Sequence, residues 1–90
     1  MISAVIPAYN EGERIEKVLI ETRNFVDEII VIDDCSTDDT AKKAKNYADV
    51  LQNEGNVGYL ESIKKGFEHA SGDIIVTLDA DGEHAPKYIH

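Results

Sequence analysis

The chain has 90 residues, 42% of them hydrophobic and 30% charged, and carries a formal net charge of −9. This length allows one small domain that buries roughly 60–65% of its unfolded surface, and the composition is that of an ordinary globular protein, not a disordered or fibrous one. With only nine Lys and Arg, scattered among acids, there is no basic face of the kind a nucleic-acid partner requires. A single cysteine, Cys35, cannot form an intramolecular disulfide and fits a reducing, cytoplasmic compartment. Met1 leads straight into a strand-like segment, so no secretory leader or membrane span is expected within these residues.

In chain order, Ile2–Ile6 predicts a first strand, stopped by Pro7, which has no N–H to give a ladder. Asn10 is placed to cap a helix, with Glu13 three residues on completing a capping box. Ile15, Val18, Leu19 and Thr22 then recur at helical spacing, predicting a helix from about Glu11 to Asn24. Glu28–Asp33 is a second strand whose unbroken apolar run suggests burial on both faces, as in parallel sheets. A polar loop from Asp33 to Thr40 leads into a second helix with Ala41, Ala44 and Ala48 on its inner face. Asp49–Gln52 is a short third strand, and Asn53–Gly58 is a loop. Leu60, Ile63, Phe67 and Ala70 space out a third helix that ends at Ser71–Gly72, where the glycine would adopt the left-handed cap. A fourth strand, Ile74–Leu78, delivers Asp79, and Pro86–His90 reads as the start of the next helix.

Strands alternating with helices imply an α/β fold: a Rossmann-like parallel sheet with right-handed crossovers, flanking helices and strand order 3-2-1-4. The open edge of the fourth strand would invite pairing with a second copy, so a homodimer through that edge is expected. Loops after strands 1, 2 and 4 then open on one edge of the sheet, and these carry the clustered polar residues. Asp79, Asp81 and Glu83, two residues apart at a strand end, suit a hard cation such as Mg²⁺ or Mn²⁺; the alternative is a solvated acidic turn. Pro7 gives a rigid exit from strand 1, Tyr9 a ring that can pack on a base or sugar, and Glu11 an acceptor for hydroxyls; the alternative is a cap and a turn. Asp33 and Asp34 sit where doubly wound sheets present an acid to a nucleotide, though capping would also explain them. There is neither a G-x-G-x-x-G nor a Walker A pattern, so a diphosphate bound here needs a cation to offset its charge. His69 is expected to face solvent, and Cys35 has no basic neighbour in sequence to activate it.

Taken together, Pro7–Glu11, Val31–Thr40, Asn56–Gly58, Gly66–Asp73 and Leu78–Pro86 resemble the family 2 glycosyltransferases, with polyprenyl (dolichyl) phosphate mannosyl- and glucosyltransferases the nearest in flavour. The resemblance runs from residue 2 to the end of the chain. It implies the N-terminal, donor-binding half of a GT-A fold that binds a nucleotide-diphospho-sugar with Mg²⁺ or Mn²⁺ and transfers the sugar with inversion. Pro7, Tyr9 and Glu11 would contact the nucleoside, Asp34 with Asp33 beside it the base or ribose, and Asp79 and Asp81 the metal and diphosphate. Glu83 falls where this subfamily often has Gln. Tyr59–Ser62 lacks the basic residue usual after Asn56 and Gly58. Family members continue into an acceptor half, so the catalytic base is expected beyond residue 90, and residues 1–90 are expected to be one truncated half domain. Peripheral membrane association would belong to that longer context. The base, sugar and acceptor are not specified.

Two other functions compete with a glycosyltransferase donor domain. A non-catalytic nucleotide- or metal-binding or dimerising module would bind without turnover. A phosphoacceptor receiver domain also uses strand-end acids and Mg²⁺, but it needs a paired acid after strand 1 and a Lys placed after a later strand, and neither is visible.

Overall fold

A computed structural model describes residues 1–80 and the backbone of 87–89. Asp81, Glu83, Pro86 and His90, named above, lie outside the described residues. The elements are β1 (Ile2–Ala8), α1 (Ile15–Thr22), β2 (Glu28–Asp33), α2 (Thr40–Ala44), β3 (Asp49–Gln52), α3 (Tyr59–His69), β4 (Ile74–Thr77) and β5 (Lys87–Ile89). They build one sheet in the order β3-β2-β1-β4-β5, parallel except for β5. The expected order of the first four strands is therefore present.

Alternation along the strands divides the core into two layers. Ala4, Ile6 and Ala8 of β1 and Ile29 and Val31 of β2 face α1 and α2, packing with Ile15, Val18, Leu19 and Ala44. Val5, Ile30 and Ile32 face the other way, onto Ile63 and Phe67 of α3. Each fully buried aliphatic side chain of this kind contributes about 1.5–3 kcal/mol relative to exposure. On its own face of the sheet α3 sits unusually low, because a Cβ at Gly66 would lie 2.2 Å from Val5 Cγ1 and 2.8 Å from Ile32 Cδ1. Only hydrogen at that position lets the helix reach the strands.

Several expectations are corrected. β1 continues through Pro7 to Ala8. Ile2 O and Ala8 O accept from Asp27 N and Asp34 N on the β2 side, whereas Val5 O accepts from Leu78 N, so odd residues of β1 face β4. Pro7 therefore lacks its donor on the β4 side, past the last register pair Val5↔Thr77, where the ladder has ended. Lys87–Ile89 forms an antiparallel strand on β4 instead of opening a helix. The connection from Thr77 is too short for a parallel crossover, which needs about a dozen residues or more. With β5 in place, the strand 4 edge invoked for dimerisation is covered. Leu60 is not part of the inner stripe of α3 but is 80% exposed; Ser62, Ile63 and Gly66 are the buried positions. Gly72 does not take the left-handed cap either: α3 closes on Ala70 in extended geometry, and Gly72 is pressed against Ser3, donating from its N–H to Ser3 Oγ.

Asn10 does not cap α1. It lies at φ 51°, and its side-chain oxygen accepts from Thr37 N at 2.8 Å, tying the β1 loop to the β2 loop. The orphan amides before α1 are satisfied across that same junction. Asn10 N donates to Ser36 Oγ, Glu11 N to Thr40 Oγ1 and Gly12 N to Asp38 Oδ2, while Lys43 Nζ donates to Gly12 O. Asp38 also accepts from the Thr40 hydroxyl and the Thr40 N–H. The Thr40 hydroxyl bond is the largest influence holding the Asp38 carboxyl below its ordinary range, outweighing the opposing effect of burial. At the other end of the sheet, Glu28 is held low chiefly by the Ser71 N–H and then by the Ser3 hydroxyl. Among the described residues, no helix is long and apolar enough to cross a membrane.

Two predictions follow from this packing. Gly66→Ala should destabilise the protein by about 1–3 kcal/mol in urea unfolding, because overpacking outweighs the helix-propensity gain. Gly55→Ala, with nothing within 4 Å of its Cβ, should be neutral or slightly stabilising. Depressed folded-state values at Asp38 and Glu28 mean that their contributions are fully present above the unfolded carboxyl range and are lost as pH falls through the folded values. The thermal midpoint should therefore drop below about pH 4, and in Asp38→Asn and Glu28→Gln the acid limb should flatten.

Candidate donor site at the carboxyl edge of the sheet

β1 has β2 on one side and β4 on the other, so the crossovers leave it in opposite directions and a crevice opens beyond its carboxyl end. A cleft of about 250 Å³ occupies this place. Pro7, Ala8, Tyr9 and Glu11 line it from the end of β1, Asp34 from the end of β2, Tyr59 and Ser62 from the start of α3, and Asp79 and Ala80 from the segment after β4. Five of the residues expected from sequence, Pro7, Tyr9, Glu11, Asp34 and Asp79, are thus brought together.

They are held in different ways. Tyr9 is half-exposed at 48%, and Tyr59 at 53%, so two aromatic rings from separate elements border the same opening. Glu11 is partly buried, lies 3.9 Å from Arg14 Nη1, and has its backbone fixed by Thr40 Oγ1. Asp34 is only 7% exposed. Its Oδ1 accepts from Asn53 Nδ2 at 2.9 Å and Val57 N at 2.7 Å, and its Oδ2 from Gly58 N at 3.0 Å. A carboxylate offers about four lone-pair sites, so these three bonds leave room for one further donor from the cleft. Burial is the largest single influence on Asp34 and acts to raise its pKa, but the Val57, Asn53 and Gly58 bonds and the Lys65 charge together hold it below the ordinary range. Asp34 is an anion at neutral pH and simultaneously the cap of the turn into α3. Gly58, the N-cap of α3, has φ 92°, which a side chain would resist.

Asp33 is not among the lining residues: it is 2% exposed, and its carboxylate accepts from the Ser36 hydroxyl. Cys35, exposed at φ 63°, turns the chain out of the strand, with Sγ directed to Glu54 O at 3.7 Å. His69 is exposed on α3, as expected. Asp79 is partly buried at the cleft wall. Among the described residues no group of three His, Cys, Asp or Glu converges as a ready-made metal cage. A Mg²⁺-type ion commonly needs only one or two carboxylates, with water and substrate phosphates completing its shell, so an Asp79 carboxylate at an open cleft fits that donor set.

Tyr59, Ser62 and Asn53 belong to the site but are not singled out by the sequence patterns. A signal for Asn53 exists in the topology: β3 lies beside β2 with Gln52 opposite Asp33, which puts the next residue next to Asp34. Tyr59 marks the place where the resemblance fails for want of a basic residue.

Comparison with known proteins gives the same picture. The dolichol-phosphate mannosyltransferase of Pyrococcus furiosus is 35% identical over 97 residues, covering 98% of this chain and 28% of that protein. The undecaprenyl-phosphate 4-deoxy-4-formamido-L-arabinose transferase of Salmonella typhimurium is 39% identical over 102 residues, covering 98% and 31%. Among solved structures, mannosyl-3-phosphoglycerate synthase from Rubrobacter xylanophilus superimposes with a TM-score of 0.82 at 27% identity, over 90% of this chain and 30% of that one. A mannosyltransferase from Pyrobaculum calidifontis, in complex with GDP-Man and Mn²⁺, gives 0.81 at 25% identity, over 89% and 27%. The chain therefore spans less than a third of the length of each of these relatives. The sequence profile of Glycosyl transferase family 2 matches residues 3–90, and the chain, with the sheet and crevice of a GT-A fold, belongs to that family.

Proposed function

We propose that this chain is the donor-binding portion of an inverting glycosyltransferase, taking a nucleotide-diphospho-sugar together with Mg²⁺ or Mn²⁺ in the cleft beyond β1, β2 and β4. The observation that supports this most is the convergence of Tyr9, Glu11, Asp34 and Asp79 on one opening from three separate loops. Tyr9 and Pro7 would pack against the nucleoside, Glu11 would accept from its hydroxyls, and Asp34 would accept a base or ribose donor at its remaining lone pair. Asp79, with Asp81 and Glu83 of the DxD-type segment, would hold the cation. The cation, when bound, offsets the charge that develops on the departing diphosphate. Glu11, Asp34 and Asp79 are all given to binding in this scheme, and none is assigned as the base that takes the acceptor's proton.

The relatives named for dolichol and undecaprenyl phosphates support a polyprenyl phosphate as acceptor. We take the cytoplasm as the compartment, in keeping with the free thiol of Cys35.

Mn²⁺ with GDP or UDP should raise the thermal midpoint of the chain, and at ligand about 100-fold above Kd the gain is about 2.7 kcal/mol, or about 10–20 °C for a domain of this size. Asp79→Asn should abolish the part of the shift that needs Mn²⁺, and Tyr9→Ala should weaken the nucleotide part. Equal shifts in parent and Asp79→Asn would remove Asp79 from the metal corner. Absence of any shift with either diphosphate would defeat the donor assignment itself.

A further inference from the structure

We propose that Lys65 is a positioning residue for the cleft, acting through Asn53 on the Asp34 carboxylate; this extends, and rests on, the donor-site assignment above. Lys65 lies on α3 and is not a lining residue, so it does not meet a bound molecule directly. Its ammonium donates to Asn53 Oδ1 at 2.6 Å. Asn53 is 5% exposed, and its Nδ2 donates both to Asp34 Oδ1 at 2.9 Å and to Ser62 Oγ at 3.2 Å.

These partners fix which way round the amide sits. With Oδ1 held on an ammonium, Nδ2 has to face the carboxylate. Turned over, the amide would set oxygen against Asp34 and NH₂ against Lys65, two repulsive contacts, of which the one with Asp34 is buried. The oriented amide then holds Asp34 where its two oxygens receive Val57 N and Gly58 N. The series of bonds ends on the two residues just before Tyr59, and it passes through Asp34 and Ser62, both of which line the cleft. Removing the ammonium leaves Asn53 Oδ1 without its charged donor in a buried position, a loss that neighbouring groups absorb by turning the amide or admitting water. A turned amide sets its oxygen against Asp34, and a hydrated one holds Nδ2 on Asp34 less firmly, so in either case the carboxylate that receives Val57 N and Gly58 N is less well fixed. Lys65 also places a positive charge behind an anionic wall that has to accept a diphosphate.

The test uses the full ¹⁵N-labelled chain and two readouts. Amide hydrogen exchange at Val57 and Gly58 should accelerate about tenfold in Lys65→Met, the effect of losing one hydrogen bond to a charged group, while amides in the middle of β1 change much less. Affinity for GDP or UDP with Mn²⁺, measured by calorimetry, should fall by a similar factor, and Lys65→Arg, which keeps an N–H donor and the charge, should restore most of it. Adding Asn53→Ala to Lys65→Met should cost little more than Asn53→Ala alone, because the two residues act in series. Unchanged exchange at Val57 and Gly58, or additive losses in the double variant, would overturn the proposal. If the parent chain binds neither diphosphate, the donor assignment fails, and the exchange and its response to Lys65→Arg decide whether Lys65 positions Asp34.

Discussion

A charged carboxylate held almost out of water must receive hydrogen bonds, and at the end of β2 this requirement organises the whole upper edge of the molecule. Asp34 obtains its donors from Asn53 at the end of β3 and from Val57 and Gly58 at the start of α3. A single side chain therefore ties the second strand, the third strand and the following helix to one point. If it were neutral or absent, the N–H groups of Val57 and Gly58 would lose their acceptor, and the unusual φ of Gly58 would lose the contact that stabilises it. Capping and ligand recognition are commonly treated as rival explanations of a strand-end acid. Here one carboxylate has the geometry for both, because the bonds that build the turn leave part of its capacity facing the cleft.

The two sides of the cleft are built differently. On the side of β1 and β2 the loops are stitched to each other by short polar side chains: Asn10 to Thr37, Ser36 to Asn10, Thr40 to Glu11 and Asp38 to Gly12. This lacing makes the base of Tyr9 and Glu11 a fixed platform despite the absence of regular structure there. On the side of α3 the rigidity is apolar, with Gly66 letting the helix settle onto Val5 and Ile32. A helix seated by van der Waals contact in its middle and by Asp34 at its start presents Tyr59 and Ser62 from a stationary frame.

Much of this was legible in the residues. Periods of two and of three to four, together with the polar breaks between them, marked the strands and helices, and alternation of the two dictated a parallel sheet with its site at the carboxyl edge. The failures share a physical origin. Asn10 resembles a cap in isolation, but its acceptor is claimed by Thr37, twenty-seven residues away. Leu60 fits the helical stripe, but it is Ile63 and Phe67 of that stripe that pack onto the sheet, and Leu60 is left exposed. Gly72 looks like a left-handed terminator because that is the common use of glycine after a helix, whereas the real demand is the nearness of Ser3 and Met1. Local pattern names an element well and names long-range partners poorly. The Lys65–Asn53–Asp34 series, which runs from an exposed ammonium to two buried polar groups, belongs to the second class, since nothing in its spacing announces it.

Pro7 has a consequence for the shape of the opening. Val5 O receives Leu78 N as the last rung between β1 and β4, and the next position on that side of β1 has no hydrogen to give. β1 and β4 cannot zip any further, so beyond Val5 they are free to splay while β1 stays paired to β2 up to Ala8. The crevice that the opposed crossovers create is thus kept open on the β4 side by one missing main-chain donor, not by bulky groups propping two strands apart. Its side chains can therefore be exchanged, and what it holds can change with them, without the gap itself being lost.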